Sequence, residues 1–190
     1  MVFAASVFCV GLIVYPALEP AITDAANTAD DVLVNLSVAP TISLNSPTDV
    51  SMGTITGTGN VTGSTTWTVT TNNSSGWKLE VATDQANTMH SGSDVFTDYT
   101  EAVEGTPETW SIASSASEFG FGATGTYIES KFGTGKYMGF NSTAKEQVSH
   151  GSAETAGDDT TVIFKAEVGS AKSQPSGSYS ATVTATATTL

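Results

Sequence analysis

The side chains that could do chemistry in this 190-residue chain are few and widely spread. There are two histidines, His90 and His150, and one cysteine, Cys9. No HExxH, CxxC or GxSxG pattern is present, so the sequence indicates neither a zinc site nor an activated nucleophile. A single cysteine cannot form an intrachain disulfide, and we expect Cys9 to pack as a small apolar residue.

Acidic residues occur in groups that could offer oxygen ligands to calcium or a carboxylate pair for glycoside hydrolysis. None follows a calcium-loop template, and the sequence places no two of them together in space. We therefore expect a solvated acidic surface, with no enzyme activity, no metal and no cofactor. The groups are Asp94 with Asp98 and Glu101, Asp30 with Asp31, and Asp158 with Asp159.

Three asparagines head Asn-x-Ser/Thr patterns in segments predicted to be exposed turns, Asn60, Asn73 and Asn141. These are candidate glycosylation sites. The alternative is ordinary turn chemistry, because Asn and Ser are common turn residues.

The net charge of −13 argues against some classes of binding partner. Nucleic-acid binding needs a basic stripe that neutralises phosphates, and only six Lys or Arg are present against nineteen Asp or Glu. The sequence therefore predicts that the protein binds no nucleic acid and is repelled by anionic lipid surfaces.

The first fifteen residues contain no charged side chain. The run is apolar all round, as in a fully buried helix, and is shorter than the roughly 20 residues of a transmembrane helix. It lacks the basic residues and the cleavage site of a signal peptide. We predict an assembly helix over residues 1–31, kinked near Pro16 and Pro20; a β-strand is the alternative. The expected interface residues are Val2, Phe3, Val7, Phe8, Val10, Gly11, Leu12, Ile13, Val14 and Tyr15.

This layout, an uncharged N-terminal helix ahead of a hydrophilic head, resembles the type IV pilin family over about residues 1–31. In that family a leader is removed ahead of the apolar run, which leaves the run in the mature subunit. The resemblance implies that Met1 is the first mature residue. It also implies that the helix lies in the membrane transiently and then packs with copies of itself in a filament.

From Val32 the apolar spacing becomes alternating, which indicates β-strands. We predict a head over residues 32–190, with an irregular insertion at about 86–157, and two hairpins that turn at 72–76 and 175–177. The last strand is expected to close its own sheet; adding to a neighbour's sheet is the alternative. The predicted strands are 32–38, 50–55, 65–71, 77–83, 109–114, 118–123, 127–132, 136–140, 160–168 and 178–188.

Residues 53–81 and 174–187 are similar to the first and last strands of Ig-like β-sandwich modules in prokaryotic surface proteins. The expected fold class is therefore mainly β, an Ig-like β-sandwich head with one N-terminal hydrophobic α-helix, in an extracellular setting. The aromatic residues of the insertion are expected to fill the core, and a sugar-stacking surface is the alternative.

These features together predict the structural subunit of an extracellular, cell-surface filament, a homopolymer assembled through the N-terminal helix. One alternative is a membrane-anchored surface adhesin or glycan-binding module that contacts surface glycans. A further alternative is a strand-exchange fibre, in which the N-terminal run inserts as a β-strand into the next subunit.

Overall fold

The computed structural model describes residues 30–141 and 145–190, and within them the chain is mainly β and contains no helix. Residues 38–190 form one compact unit, called the β domain below, and residues 30–37 belong to the unit that precedes it. The strands are β1 (Ile42–Leu44), β2 (Gly59–Thr71), β3 (Trp77–Thr83), β4 (Met89–Ser91), β5 (Asp94–Asp98), β6 (Glu108–Thr109), β7 (Ser117–Gly125), β8 (Lys136–Tyr137), β9 (Glu146–Gly151), β10 (Glu154–Val168) and β11 (Val183–Thr189).

Two main sheets make up the β domain. The larger has the strand order β1-β2-β10-β7-β5-β4, and the smaller has the order β11-β3-β9. Their ladders are antiparallel except for the parallel pairing of β5 with β7. Strands β6 and β8 form a separate pair. The two main sheets share one apolar core, an arrangement consistent with a β-sandwich.

The period of two in the sequence decides which face of each strand is buried. In β3 the side chains of Trp77, Leu79 and Val81 are buried. The intervening Lys78 and Glu80 are only partly buried and form an ion pair, with 2.9 Å between Nζ and Oε1. The same alternation runs along β10 and the second half of β2, so each strand adds one apolar face to the common core.

Aromatic rings fill the middle of this core. Phe121 stacks on Phe140 with 4.5 Å between ring centroids, and Phe119 stacks on Phe140 at 5.5 Å. Phe132 and Phe164 are also buried in the cluster. Most of these rings come from residues 86–157, and that segment also supplies β7, which lies between β10 and β5 in the larger sheet.

Both predicted hairpins are wrong. Strands β2 and β3 are consecutive, but β2 pairs with β1 and β10 whereas β3 pairs with β11 and β9. Strands β10 and β11 likewise belong to different sheets. The turn residues correctly mark where the chain reverses. They do not determine whether the next strand pairs with the previous one or crosses the core to the opposite sheet, because either choice buries the same apolar face.

The predicted N-terminal helix is wrong where the described residues reach it, since its last two residues, Asp30 and Asp31, are not helical. Residues 1–29 lie outside the described part of the chain. The sequence after Asp31 disfavours a helix, because β-branched residues are frequent there, apolar and polar residues alternate, and Pro40 lacks a backbone N–H. In residues 30–141 and 145–190, no helix is long and apolar enough to cross a membrane.

The strand predicted at 32–38 is also not formed in the single chain. Its alternating apolar residues suit a strand. A strand, however, exists only when a neighbouring strand satisfies its backbone hydrogen bonds. Residues 30–41 therefore carry a strand-like sequence without strand structure.

Candidate functional site

A run of exposed apolar side chains precedes the β domain. Residues 32–38, called the apolar segment below, hold five large apolar side chains that are between 76% and 89% exposed. Single exposed apolar residues are normal on a protein surface, but a contiguous run marks an interaction site. The five are Val32, Leu33, Val34, Leu36 and Val38.

The chain enters the β domain beside the turn between β2 and β3. The backbone N–H of Thr41 donates to Oδ1 of Asn72 over 2.7 Å. The side-chain amide of Asn72 donates in turn to the carbonyl of Ala39 over 3.4 Å. These bonds hold residues 39–41 at one end of the β domain, directly after the apolar segment.

The C-terminus lies at the same end. The side-chain amide of Asn73 donates to the carbonyls of Gly76 and Leu190 over 2.7 and 3.0 Å. The N–H of Leu190 donates to the carbonyl of Gly76 over 3.0 Å. The 72–76 turn therefore binds both the entry of the chain into the β domain and the residue that follows β11.

Strand β11 is an edge strand. It pairs with β3 from Val183↔Thr83 to Thr189↔Trp77 and ends its sheet, so its other edge is unpaired within the described residues. Its sequence contains no charged residue and no proline, although edge strands commonly carry both as protection against unwanted pairing. This edge can accept another strand.

Partly buried apolar side chains occur in the first part of the β domain and in β11, and β1 comes close to β11. Val50 and Met52 lie against Gly63, further along β2 from the part that pairs with β1. These side chains pack on the core but retain contact with solvent, so the core is incompletely covered here. They are Ile42, Leu44, Val50, Met52 and Ile55 from the first part of the domain, and Val183, Ala185 and Ala187 from β11.

A cleft of about 640 Å³ opens elsewhere, between the end of β5 and the segment after β8. Glu101 lies in it and accepts the N–H of Gly139 at Oε1 over 2.7 Å. Burial raises the pKa of Glu101, and the nearby charges of Glu108 and Glu104 act in the same direction. The carboxylate thus holds the loop after β8 in place.

Asp98 has a similar structural role. Its two carboxylate oxygens accept the backbone N–H groups of Asn87 and Thr88 over 2.8 and 3.0 Å. Asn87 has a positive φ of 52°, and these bonds stabilise that conformation in the loop before β4.

Of the acidic residues singled out from the sequence, Asp98 and Glu101 line the same cleft, and each accepts backbone N–H groups. No three His, Cys, Asp or Glu side chains of the described residues are close enough together to hold a metal ion. Asp158 is buried and Asp159 is exposed, because consecutive residues of β10 face opposite sides of the sheet. The Oδ1 of Asp159 accepts the hydroxyl of Thr68 over 2.6 Å.

The two histidines have different partners. His150 is exposed and His90 is half-buried. Nδ1 of His150 lies 2.6 Å from Oε1 of Glu129, and Nδ1 of His90 lies 2.8 Å from the side-chain nitrogen of Gln85. Burial acts to raise the pKa of Glu129, but hydrogen bonds from Gln147 and His150 lower it below its usual value. This pair is a surface ion pair when His150 is protonated.

The half-buried Trp110 is the aromatic residue best placed for sugar stacking, but its contacts are already internal. Its ring stacks on Tyr99 at 4.3 Å and meets Tyr137 edge-on at 5.6 Å. Its Nε1 donates to Glu167 over 2.7 Å, and Nζ of Lys165 lies 5.1 Å from the ring centroid. The ring is thus used to cover the outer face of the larger sheet.

The glycosylation candidates have different surroundings. Asn60 is exposed at the start of β2, and Asn141 is exposed after β8. The amide nitrogen of Asn73 makes the two hydrogen bonds to Gly76 and Leu190 described above. A glycan would replace one of the two hydrogens on that nitrogen, so at least one of these bonds would have to break. The predicted helix interface, Val2 to Tyr15, lies outside the described residues.

Sequence reasoning did not anticipate that the apolar segment is exposed or that β11 has an open edge. The sequence predicts residues 32–38 as a strand and expects the last strand to close its own sheet; β11 does pair with β3 of the same domain, but residues 32–38 form no strand. The alternation of residues 32–38 was a usable signal for a strand, but whether that strand has a partner in the same chain is a tertiary property.

No family model, curated protein or solved structure matches this chain. The resemblance to type IV pilins is therefore overturned, because the described residues contain no helix and no family match supports it. The resemblance to Ig-like modules of prokaryotic surface proteins has no family support either.

Proposed function

We propose that this protein is the structural subunit of an extracellular filament that assembles from copies of itself. The observation that carries the proposal is the apolar segment, whose large side chains are exposed one after another. Water-exposed apolar runs are costly unless a partner covers them. A contact between two different surfaces of identical subunits does not close on itself and so generates a fibre.

The uses of the acidic residues support a structural role over a catalytic one. Asp98 and Glu101 stabilise loops through backbone N–H groups, and His150 pairs with Glu129 at the surface. Catalysis would need a nucleophile or an acid–base pair around a shared substrate position. These carboxylates are instead engaged one by one.

The architecture suits an exterior role. Two sheets around one core support a β-sandwich, and the Ig-like form of it stays a prediction. The charge of −13 keeps such a surface soluble, and Asn60 and Asn141, two of the candidate glycosylation sites, are exposed. We therefore place the protein outside the cell, on the cell surface.

The alternative is a membrane-anchored surface adhesin or glycan-binding module. The aromatic residue that would serve it, Trp110, is engaged by Tyr99, Lys165 and Glu167. That engagement leaves less ring surface for a sugar than an open stacking platform provides, so we favour the filament.

The test uses the full 190-residue chain, purified in detergent and then freed of it. Negative-stain electron microscopy and sedimentation velocity should show uniform filaments and a fast-sedimenting species. If the detergent-free chain sediments as a single monomeric species and shows no fibres at any accessible concentration, the proposal fails. Tight partitioning into lipid vesicles without polymer would favour the adhesin.

A further inference from the structure

We propose that the apolar segment of one copy adds as a β-strand to the free edge of β11 in the next copy. This inference rests on the proposed function and names the contact that would build the filament. The backbone of an added strand satisfies the unpaired groups of an edge, and its alternate side chains supply specificity.

The apolar segment has the pattern that such a strand needs. Its residues at positions 32, 34, 36 and 38 are all apolar, and in a strand they share one face. The other face carries Leu33, Asn35 and Ser37. One face can therefore enter an apolar core while the other meets solvent, and the segment itself contains no charge that would resist burial.

The edge of β11 matches the segment in length. Both Val32–Val38 and β11 (Val183–Thr189) contain seven residues, so one can pair with the other along its whole length. The core-facing side chains of β11 at positions 185 and 187 are alanines. Small residues there leave room for the larger Val and Leu side chains of an incoming strand.

The other strands that end a sheet are poorer acceptors. Strands β1 and β4 contain three residues each, and the backbone of His90 in β4 already exchanges two 3.0 Å hydrogen bonds with Ser180. The outer edge of β9 is also occupied. The N–H of Glu129 donates to Val148, and the N–H of His150 donates to Tyr127. Among the strands that end a sheet, β11 is thus the longest, and its outer edge is the most open.

Strand addition at β11 would also complete the core. The partly buried Ile42 and Leu44 belong to β1, which approaches β11. A strand added to β11 would bring its apolar face next to them. The apolar segment would then be buried, and it would cover the side chains that are only partly buried in the single chain. Burial of apolar surface on both partners drives association.

Each copy offers one segment and one edge, and the two surfaces are different. A chain whose segment enters a neighbour keeps its own β11 edge free for the next copy. The contact therefore propagates without closing. The segment is followed directly by residues 39–41, which are held on the β domain by Asn72, so successive β domains would be closely spaced along the filament.

The decisive experiment compares Leu36→Asn with Leu33→Asn in the full chain. The two residues are 89% and 83% exposed and undergo the same change, but they lie on opposite faces of the proposed strand. Loss of one buried Leu contact should raise the concentration needed for assembly about 30-fold for Leu36→Asn. Leu33→Asn should assemble close to wild type. Thermal unfolding of the β domain should be the same in both, since neither side chain is buried in it.

Hydrogen exchange gives a second readout. In wild-type filaments the backbone amides of the apolar segment and alternate amides of β11 should exchange at least tenfold more slowly than in the unassembled chain, because each gains a hydrogen bond. The amides of β4 serve as the internal control and should not change.

Several results would overturn strand addition while leaving the filament in place: equal loss or equal retention of assembly by the two variants, or filaments in which β11 gains no protection. Slow exchange of β11 already in the unassembled chain would mean that the segment covers its own domain, which also overturns it. If the wild-type chain forms no polymer at all, the proposed function itself fails.

Discussion

Replacing Asp158 by Asn should stabilise the β domain at neutral pH. Asp158 is buried at the start of the paired part of β10, beside Val69 in the register and two residues before the buried Thr160. Its Oδ2 has no hydrogen-bond partner within residues 30–141 and 145–190. Burial raises the pKa of the Asp158 carboxyl, and the charges of Glu154 and Asp159 raise it further. Ionised Asp158 therefore costs stability, and a neutral amide of the same shape removes that cost.

The size of the expected stabilisation follows from the burial of Asp158. A buried polar group left unpaired costs about 1–3 kcal/mol, and more when it is charged. Since Asn keeps an unpaired polar group but removes the charge, we expect a gain of about 1–2 kcal/mol at pH 7 to 8. For a domain of this size that gain corresponds to a rise in Tm of about 2–8 °C.

The direction in which stability changes with pH follows from the raised pKa of Asp158. Because the folded pKa of Asp158 lies above its unfolded value of about 3.9, the native state binds the proton more tightly. The contribution to stability is fully present below the unfolded pKa and is lost as the pH rises through the folded pKa. The slope from this group is at most about 1.4 kcal/mol per pH unit. Asp158→Asn should therefore match wild type near pH 3 and exceed it increasingly above pH 4.

Asp159→Asn is the matched control, since it is the same substitution on the next residue of β10 but on the solvent face. Its amide oxygen can still accept the hydroxyl of Thr68, so its free energy of unfolding should change by less than about 0.5 kcal/mol. Glu101 and Glu118 also have pKa values raised by burial, so some slope of the same sign remains in both variants.

The assay is urea unfolding at a series of pH values, monitored by tryptophan fluorescence under conditions in which the chain is unassembled. The reasoning is refuted if Asp158→Asn is less stable than wild type at pH 8. It is also refuted if the stabilities of Asp158→Asn and Asp159→Asn depend on pH in the same way, because the buried carboxylate would then contribute nothing specific.

Two further changes test how tightly the β domain is built. A Cβ added at Gly139 would clash with the carbonyl oxygen of Tyr99, so Gly139→Ala should cost about 3 kcal/mol or more. A Cβ added at Gly133 would meet only an ordinary contact at 3.6 Å, so Gly133→Ala should be near neutral in the same unfolding assay. Equal effects of the two substitutions would contradict this. The buried hydroxyls of Ser149 and Thr160 lie 2.8 Å apart between β9 and β10. Thr160→Val alone should therefore cost about 1–3 kcal/mol of unfolding free energy, and adding Ser149→Ala should recover part of that loss. A double mutant whose effect is the sum of the two single effects would show that the pair is not coupled.

Much of the β domain could be predicted from alternation alone. The strand predicted at 77–83 has the observed bounds of β3, and those at 118–123 and 160–168 lie within β7 and β10. In these strands apolar and polar residues alternate strictly or nearly so, and that pattern directly determines a buried face. The short strands β4, β5 and β9 escaped prediction, because stretches of three to six residues carry too few positions to establish a period.

The candidate site was harder to predict than the fold. The sequence predicts strands at 32–38 and 178–188 and expects the second to close its own sheet, with addition to a neighbour's sheet as the alternative. Alternation alone does not show whether either strand has an unpaired edge. Gln174, which binds both Ser117 and Tyr179, shows how the segment before β11 is attached, and such contacts between distant residues leave no local pattern.

By itself the sequence determined that this protein is mainly β, acidic and poor in catalytic side chains, because composition and a period of two are local properties that each residue carries wherever it lies. Only the tertiary structure decided which strands are neighbours. It paired β2 with β10 in one sheet and β3 with β11 in the other, and among the residues that the structure describes it left the apolar segment and one edge of β11 without a strand partner. The physical reason is that hydrogen bonds between strands and the covering of a core depend on which distant segments meet, and any apolar strand face can be buried against several others equally well.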